Sequence, residues 1–162
     1  MHANAALLNN LFNALDAHNH ETVASCYHSE AEFRDIAFHR KGRRQIHDMW
    51  RMICRDETEI EVTIGAVEAD DYTGHASVVE SYRFGASKDP RKPGRPVTNE
   101  IESRFEFKDG RILSQIDDCD PKVWARQAMK LRIMGFLAGR IRFVRSIGAK
   151  RKLDKFVEEN PG

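Results

Sequence analysis

The sequence is poor in the features that mark membrane, secreted and disulfide-stabilised proteins. None of its apolar runs approaches the ~20 residues that a membrane-spanning helix needs. Its first 19 residues lack both the basic start and the continuous apolar stretch of a secretory signal. Its three cysteines are odd in number, lie far apart and form no C-x-x-C motif. These absences argue against a membrane protein and a disulfide framework, and they predict a reducing, cytoplasmic location.

The sequence also lacks the motifs that hold cofactors, metals and nucleic acids. No phosphate-binding loop, serine elbow or dinucleotide fingerprint is present. Of the seven histidines, the HNH at 18–20, His28, His47 and His75 fall on separate predicted elements without H-x-x-x-H spacing. Neither a basic sheet with interleaved aromatics nor a helix-turn-helix pattern appears. We therefore expect no bound cofactor, no metal and no nucleic-acid partner.

Hydrophobic periodicity in the first third of the chain predicts helices on either side of one strand. Apolar residues at helical spacing indicate a helix over 3–16, and Asn19 can cap a second, shorter helix with Val23 and Tyr27 on one side. The stretch EAEFRDIAFHRKG, residues 30–42, has the pattern of a strand that ends at HRKG. A third helix is predicted over 43–55.

In the middle of the chain, apolar and polar residues alternate with the two-residue period of β-strands. The segments are TEIEVTIGAVEA (58–69), HASVVESYRFG (75–85), PVTNEIESRFEF (96–107) and RILSQIDDC (111–119), with a tight turn at Asp109-Gly110. They predict a four-stranded antiparallel meander with one apolar face. Since the amphipathic helices must bury their apolar sides, we expect them to pack on that face, which makes the fold class α+β.

Charge is distributed unevenly along the chain. Residues 1–120 hold 22 acidic and 15 basic residues, whereas residues 121–162 hold 3 acidic and 11 basic ones, a net charge of +8. Asp120 and Pro121 are suited to start a helix, and the rest of this segment has a helical apolar stripe of Ile133, Leu137, Ile141 and Val144. A basic amphipathic helix can lie on a membrane or an acidic partner, but docking on its own domain is the commoner case. We predict a domain over 1–128 and a basic helical extension over 129–162 packed on it.

Three stretches resemble the nuclear transport factor 2-like (NTF2-like) superfamily, in its SnoaL-like and ketosteroid-isomerase-like branch. They are LFNALDAHNHETVASCYHSEAEFRD, GRRQIHDMW and FEFKDGRILSQIDDCD, which together cover roughly residues 7–128. The resemblance implies a cone-shaped fold whose curved, mainly antiparallel sheet wraps around the long helix and leaves an apolar pocket for a small hydrophobic molecule. It also implies a homodimer formed sheet to sheet.

Asp35 is the first candidate catalytic residue. Alternation along 30–42 places it beside Phe33 on the apolar face of the strand, where an unpaired carboxylate is costly. The resemblance places it where ketosteroid isomerases carry the carboxylate that moves a proton next to a carbonyl. The alternative is an ordinary ion pair with Arg34, Arg40 or Arg43. His39 is either an acid at the rim of the same pocket or a solvent-facing loop histidine.

Asp117 is the second candidate, because the resemblance to SnoaL-like cyclases implies an acid on the closing strands of the pocket. Gln115 shares its face of the strand, while Asp118 lies on the other face. Asp120 is the alternative match to this acid, although it is also suited to cap the following helix. The oxyanion donors of the steroid isomerases have no counterpart, since a gapless match places Leu11 and Ser103 at their positions. Four aromatic residues are either plain core or pocket lining: Tyr27, Trp50, Tyr82 and Phe105.

Two functions follow from the resemblance and these residues. The first is a cofactor-independent isomerase, cyclase or dehydratase that transfers protons on a small hydrophobic carbonyl compound, or acts on an epoxide. The second is a non-catalytic module of the same fold that binds a hydrophobic ligand or a protein.

Overall fold

The computed structural model describes the backbone of residues 1–129 and 138–161 and the side chains of 1–129 and 148–161. The helices are α1 (Ala3–Asp16), α2 (His20–Ser25), α3 (Arg43–Ile53), α4 (Pro121–Met129) and α5 (Ala138–Glu159), with a 3-10 turn at Asp56–Thr58. The strands are β1 (Tyr27–Arg34), β2 (His39–Lys41), β3 (Glu61–Ala69), β4 (Thr73–Phe84), β5 (Arg95–Lys108) and β6 (Arg111–Asp118).

The six strands form one mixed sheet in the order β2-β1-β6-β5-β4-β3. The predicted antiparallel meander is confirmed as β3 to β6, and its tight turn has positive φ at both Asp109 and Gly110. The sequence did not indicate how β1 joins: it pairs in parallel with β6 and antiparallel with the short β2. The result is an α+β fold with an unclosed, curled sheet, as the resemblance implied.

The core lies between the helices and the apolar face of the sheet, which we call the inner face. On β5 the alternation is complete, because every second side chain from Val97 to Phe107 is buried and those between are exposed. Helix α1 contributes Leu8, Leu11, Phe12 and Leu15 to this core. Each such side chain contributes roughly 1.5–3 kcal/mol when it is fully buried, so these contacts hold the sheet around the helix.

The start and end of β1 differ from the sequence prediction. Tyr27 was placed on the second helix, but α2 ends at Ser25 and Tyr27 begins the strand. The strand ends at Arg34, so Asp35 lies in the turn between β1 and β2 rather than within a longer strand. The turn forms because the carboxylate of Asp35 accepts the backbone N–H groups of Ala37 and Phe38.

The C-terminal helices α4 and α5 also contribute side chains to the hydrophobic core. Asp120 caps α4 by accepting the N–H groups of Lys122 and Val123. In α5, Leu153 is 3% exposed and belongs to the main core, and Phe156 packs beside it under the guanidinium groups of Arg51 and Arg55. In the predicted stripe, Ile133 and Leu137 lie outside the described residues, and Ile141 and Val144 lie outside the described side chains. No helix within the described residues is both long and apolar enough to cross a membrane.

Candidate functional site

The inner face of the sheet is interrupted by polar side chains at its centre. On β5, Asn99 and Ser103 alternate with the apolar residues of the buried row, and on β6, Gln115 and Asp117 occupy the same face. All four are buried, with exposed fractions from 0% for Ser103 to 8% for Asp117. Because buried polar groups destabilise a fold unless they are hydrogen-bonded, these four need partners within the core.

Asp117 is held by three hydrogen bonds. Ser103, its direct neighbour across the β5–β6 pair, donates its hydroxyl to Oδ1 at 2.6 Å. The amide of Gln115 donates to Oδ1 at 2.9 Å and to Oδ2 at 3.0 Å. The residue that replaces the expected oxyanion donor is therefore a serine that orients an aspartate on the adjacent strand.

Tyr27 and Trp50 extend this network toward the helices. The Tyr27 hydroxyl donates to Oε1 of Gln115 at 2.5 Å, and the indole N–H of Trp50 donates to the Tyr27 hydroxyl at 3.2 Å. Because the carbonyl of Gln115 accepts from Tyr27, its NH₂ group must face Asp117. The chain of bonds thus fixes the orientation of the amide and, through it, of the carboxylate.

A second carboxyl group, that of the half-buried Glu80 on β4, interacts electrostatically with Asp117 of this network. Burial raises the pKa of Glu80 to about 8, and the negative charges of Asp117 and Asp35 raise it further. Burial also raises the pKa of Asp117 to about 7, although the hydrogen bonds from Ser103 and Gln115 lower it. Two acids that titrate near neutral pH on one buried surface are the kind of pair that catalyses proton transfer.

Glu80 was not predicted from the sequence, although the pattern of residues along β4 indicates its position. The two faces of β4 were hard to separate there, but Ala76, Val78, Glu80, Tyr82 and Phe84 have the same parity along the strand. Glu80 is the single charged residue in that row, as Asp117 is in the corresponding row of β6. Register pairs Glu80 with Asn99 of β5, whereas Asp117 of β6 pairs with Ser103, four residues further along β5, so polar positions recur on three neighbouring strands of the inner face.

Tyr82 forms a third group beside Glu80. Its hydroxyl accepts the indole N–H of Trp124 at 2.7 Å and the amide of Asn99 at 3.4 Å. Burial raises its pKa, so the phenol stays protonated at neutral pH. Since Tyr82 is the acceptor in both bonds, its own proton remains for donation to another oxygen.

Asp35 and His39 lie at the edge of this arrangement. Asp35 is half-buried, and its charge acts on Glu80, Asp117 and Tyr82, although its Oδ1 already accepts two backbone N–H groups. His39 is exposed and contacts Glu32 at 2.5 Å. It also borders a surface groove between β2 and α5, together with Arg40 and Asp154. The structure thus brings Asp35 toward the buried carboxyl groups and places His39 on the outer rim.

The remaining predicted residues surround the network. Phe105 is buried in the core, where its ring meets Phe12 edge to face. Trp50 meets Phe33 in the same way at 5.5 Å between ring centroids. The end of the network at Trp50 is therefore packed among aromatic side chains of the core.

The fold also collects His20, Glu21 and His47, which the sequence places on different elements. His20 and Glu21 begin α2, and His47 lies on α3. Burial lowers the pKa of His47. Spacing along the chain did not reveal this group, because only the packing of α2 against α3 brings the two histidines into contact.

Comparisons with known proteins agree with this architecture. A family model described as a SnoaL-like domain matches residues 8–115. An LEH-like epoxide hydrolase from M. tuberculosis has a similar structure, with a TM-score of 0.65, 19% identity and coverage of 79% of this chain and 90% of that one. A comparison with curated proteins finds no match.

Two further solved structures show the same fold. One is a candidate polyketide cyclase from Xanthomonas campestris pv. campestris, with a TM-score of 0.64, 13% identity and coverage of 78% of this chain and 96% of that one. The other is a hypothetical protein of ketosteroid isomerase-like fold from Catenulispora acidiphila in complex with trimethylamine. It has a TM-score of 0.61, 15% identity and coverage of 75% and 91% of the two chains.

Proposed function

Because this chain belongs to the family of proteins with a SnoaL-like domain, we propose that it transfers protons on a small apolar molecule that carries a carbonyl or epoxide oxygen. The observation that carries the proposal is the pair of carboxyl groups on the inner face of the sheet, the buried Asp117 and the half-buried Glu80. Similar structures include proteins named as an epoxide hydrolase and a candidate polyketide cyclase, and both names fit chemistry at such an oxygen.

The substrate would lie in a recess on the inner face that Glu80 lines. Glu80 retains some solvent-accessible surface, yet burial is the main cause of its raised pKa. Both properties are expected of a carboxyl group that lines an enclosed cavity. The rings of Trp124 and Trp50, whose N–H groups donate to Tyr82 and Tyr27, favour an apolar ligand with one polar oxygen, since ligand pockets bind by shape and a few polar contacts.

The two carboxyl groups would have opposite roles. Asp117 receives three donated hydrogen bonds, which favour its ionised form and suit it to act as the base. Glu80, with the higher pKa, would hold its proton near neutral pH and act as the acid. In isomerisation, Asp117 would take a proton from the carbon next to the carbonyl while Glu80 or Tyr82 protonates the oxygen. Asp117 would then return its proton to a different carbon as the oxygen gives its proton back. In epoxide hydrolysis, the proton taken by Asp117 would come from the attacking water.

Asp35 remains the alternative base. Its carboxylate lies close enough to influence Glu80, Asp117 and Tyr82, and it could take the first proton if the substrate enters from its side. In that case Asp117 would only position other groups. His39 would serve at the rim, where it can donate to a substrate oxygen that reaches solvent.

The test is a comparison of Asp117→Asn, Glu80→Gln and Asp35→Asn on three probe substrates: an aryl epoxide, a β,γ-unsaturated ketone and a benzisoxazole. General acid–base groups typically contribute ~10²–10⁴-fold, so the variant that removes the base should lose at least ~100-fold in kcat/KM. Asp118→Asn is the matched control, because Asp118 is exposed on the other face of β6 and pairs with Arg104 at 2.7 Å. Equal activity in Asp117→Asn, Glu80→Gln and Asp118→Asn would contradict the roles given to both carboxyl groups.

A non-catalytic binding module is the second candidate, and one observation favours it. The resemblance puts Leu11 at the position of the isomerase tyrosine, and its side chain, which is 2% exposed, has no hydrogen-bond donor for an oxyanion. In this case the network around Asp117 would only orient a bound ligand. Turnover of none of the probe substrates, together with saturable binding of a fluorescent apolar dye that Glu80→Gln weakens, would support it.

A further inference from the structure

Three ligand atoms meet on the outer side of the α2–α3 pair, away from the buried carboxyl groups. Nδ1 of His20 lies 2.9 Å from Nε2 of His47. Oε1 of Glu21 lies 3.7 Å from the first of these nitrogens and 3.5 Å from the second. Among the side chains that the structure describes, this is the one group of three such residues whose ligand atoms all converge.

The separations suit one cation of the size of zinc. Three atoms at these distances lie on a circle of about 2.0 Å radius, close to the roughly 2.0–2.2 Å at which zinc binds histidine nitrogen and carboxylate oxygen. The two ring centroids are 5.2 Å apart, so the rings approach each other through their nitrogen-bearing edges. The two nitrogens face each other, so both rings would have to turn from this contact for their lone pairs to point at one cation.

We propose that His20, Glu21 and His47 form a binding site for a divalent cation of the zinc class. Two imidazoles and one carboxylate are a ligand set found in zinc sites, and water would complete the tetrahedron from the solvent side, where Glu21 is 74% exposed. Without the cation, one proton lies between the two facing nitrogens. The cation takes both lone pairs, and the ring that held this proton carries a proton on its other nitrogen instead, so both imidazoles bind as neutral ligands.

Binding of the cation would link two helices of the domain. His20 and Glu21 are the first residues of α2, and His47 lies in the middle of α3. Trp50, one turn further along α3, donates to Tyr27 in the buried network. A cation at this site would therefore tie the short α2 to the helix that carries Trp50, at a place separate from the proposed chemistry.

The test is titration of the full chain with Zn²⁺ by calorimetry, and with Co²⁺ by visible absorption. We expect one ion per chain, four-coordinate Co²⁺ bands without a thiolate charge-transfer band, and a higher Tm in zinc. His47→Gln should weaken binding by more than the roughly 10–100-fold that loss of an outer-shell partner causes. Glu21→Gln changes an exposed residue, so it tests the site even if the His47 variant folds poorly.

His28→Gln is the matched control. His28 also has two carboxylates nearby, but Glu30 is near its Nδ1 and Asp109 near its Nε2, so their oxygens do not converge on one point. This variant should bind zinc as the parent chain does. The proposal is overturned if the parent chain binds no Zn²⁺, if Glu21→Gln and His47→Gln bind it unchanged, or if Co²⁺ spectra show a thiolate ligand.

Discussion

Replacing Asp117 with asparagine should change how the stability of the protein depends on pH. In the unfolded chain this carboxyl has a pKa near 3.8, and in the folded protein burial raises it to about 7. Between these values the folded state holds a proton that the unfolded state has lost. The contribution of this group to the free energy of unfolding is therefore greatest below the pKa of the unfolded chain. It decreases as the pH rises through the pKa of the folded protein.

The magnitude follows from that shift. Each pH unit between the two pKa values lowers the free energy of unfolding by about 1.4 kcal/mol, so this group alone removes about 4 kcal/mol at most by pH 8. Glu80 acts in the same direction, because its pKa is also raised. Asp117→Asn should remove the part that belongs to Asp117 and reduce the part that belongs to Glu80, because the charge of Asp117 is one cause of the raised pKa of Glu80.

Asparagine also changes the hydrogen bonds, but that effect does not depend on pH. Its Oδ1 can still accept from Ser103 and Gln115, whereas its NH₂ group faces the amide that donated to Oδ2. One lost bond at a buried site costs about 1–3 kcal/mol at every pH. In a plot of the free energy of unfolding against pH, the lost hydrogen bond therefore lowers the whole curve, whereas the lost titration changes its slope.

The assay is urea denaturation at several pH values between 5 and 8, for the parent chain, Asp117→Asn and Asp118→Asn. The parent and Asp118→Asn should lose stability across this range with similar slopes, and Asp117→Asn should show a clearly flatter dependence. His47, whose pKa is lowered, contributes equally to all three proteins and cancels in the comparison. Equal slopes for Asp117→Asn and the parent would refute the raised pKa of this group.

Two further predictions concern the outside of the domain. Leu153→Ala should destabilise the protein by about 2–5 kcal/mol in thermal or urea unfolding, because Leu153 is 3% exposed against the core, while the exposed control Lys155→Ala should have little effect. If Leu153→Ala leaves the Tm unchanged, the packing of α5 on the domain does not contribute to stability as proposed. The exposed face of β5, with Glu100, Glu102, Arg104 and Glu106, is proposed to form a homodimer. Light scattering should then give twice the chain mass, whereas a mass near 18.6 kDa at micromolar concentration would argue against it.

Local patterns predicted most of the meander and part of the candidate site. The alternation in β5, the turn at Asp109-Gly110 and the inward direction of Asp117 all depend on side chains near one another in sequence. The parallel pairing of β1 with β6 was not predictable in this way, because it joins segments about 80 residues apart. The position of Asp35 was also not predictable from local pattern. Asp35 lies in a turn because the chain reverses to form β2, which is only three residues long.

The candidate site needed a different kind of information. Glu80 was visible as the charged member of an apolar row, but its significance came from register, which places it opposite Asn99. The group of His20, Glu21 and His47 has no signal in the sequence, since helix packing alone brings it together. Sequence patterns thus show which face a side chain occupies, whereas the meeting of several faces at one point requires the tertiary structure.

The parallel pairing of β1 with β6 also determines the order in which the protein can fold. Tyr27 and Gln115, which are bonded to each other, are separated by 88 positions along the chain. Closing so long a loop is entropically unfavourable and slows folding, while the hairpins of the meander can form from local contacts. During synthesis, β1 must wait for its partner strand until β6 has left the ribosome. The polar network on the inner face would then be among the last parts to form, and β1 would be the segment most in need of protection from aggregation until that moment.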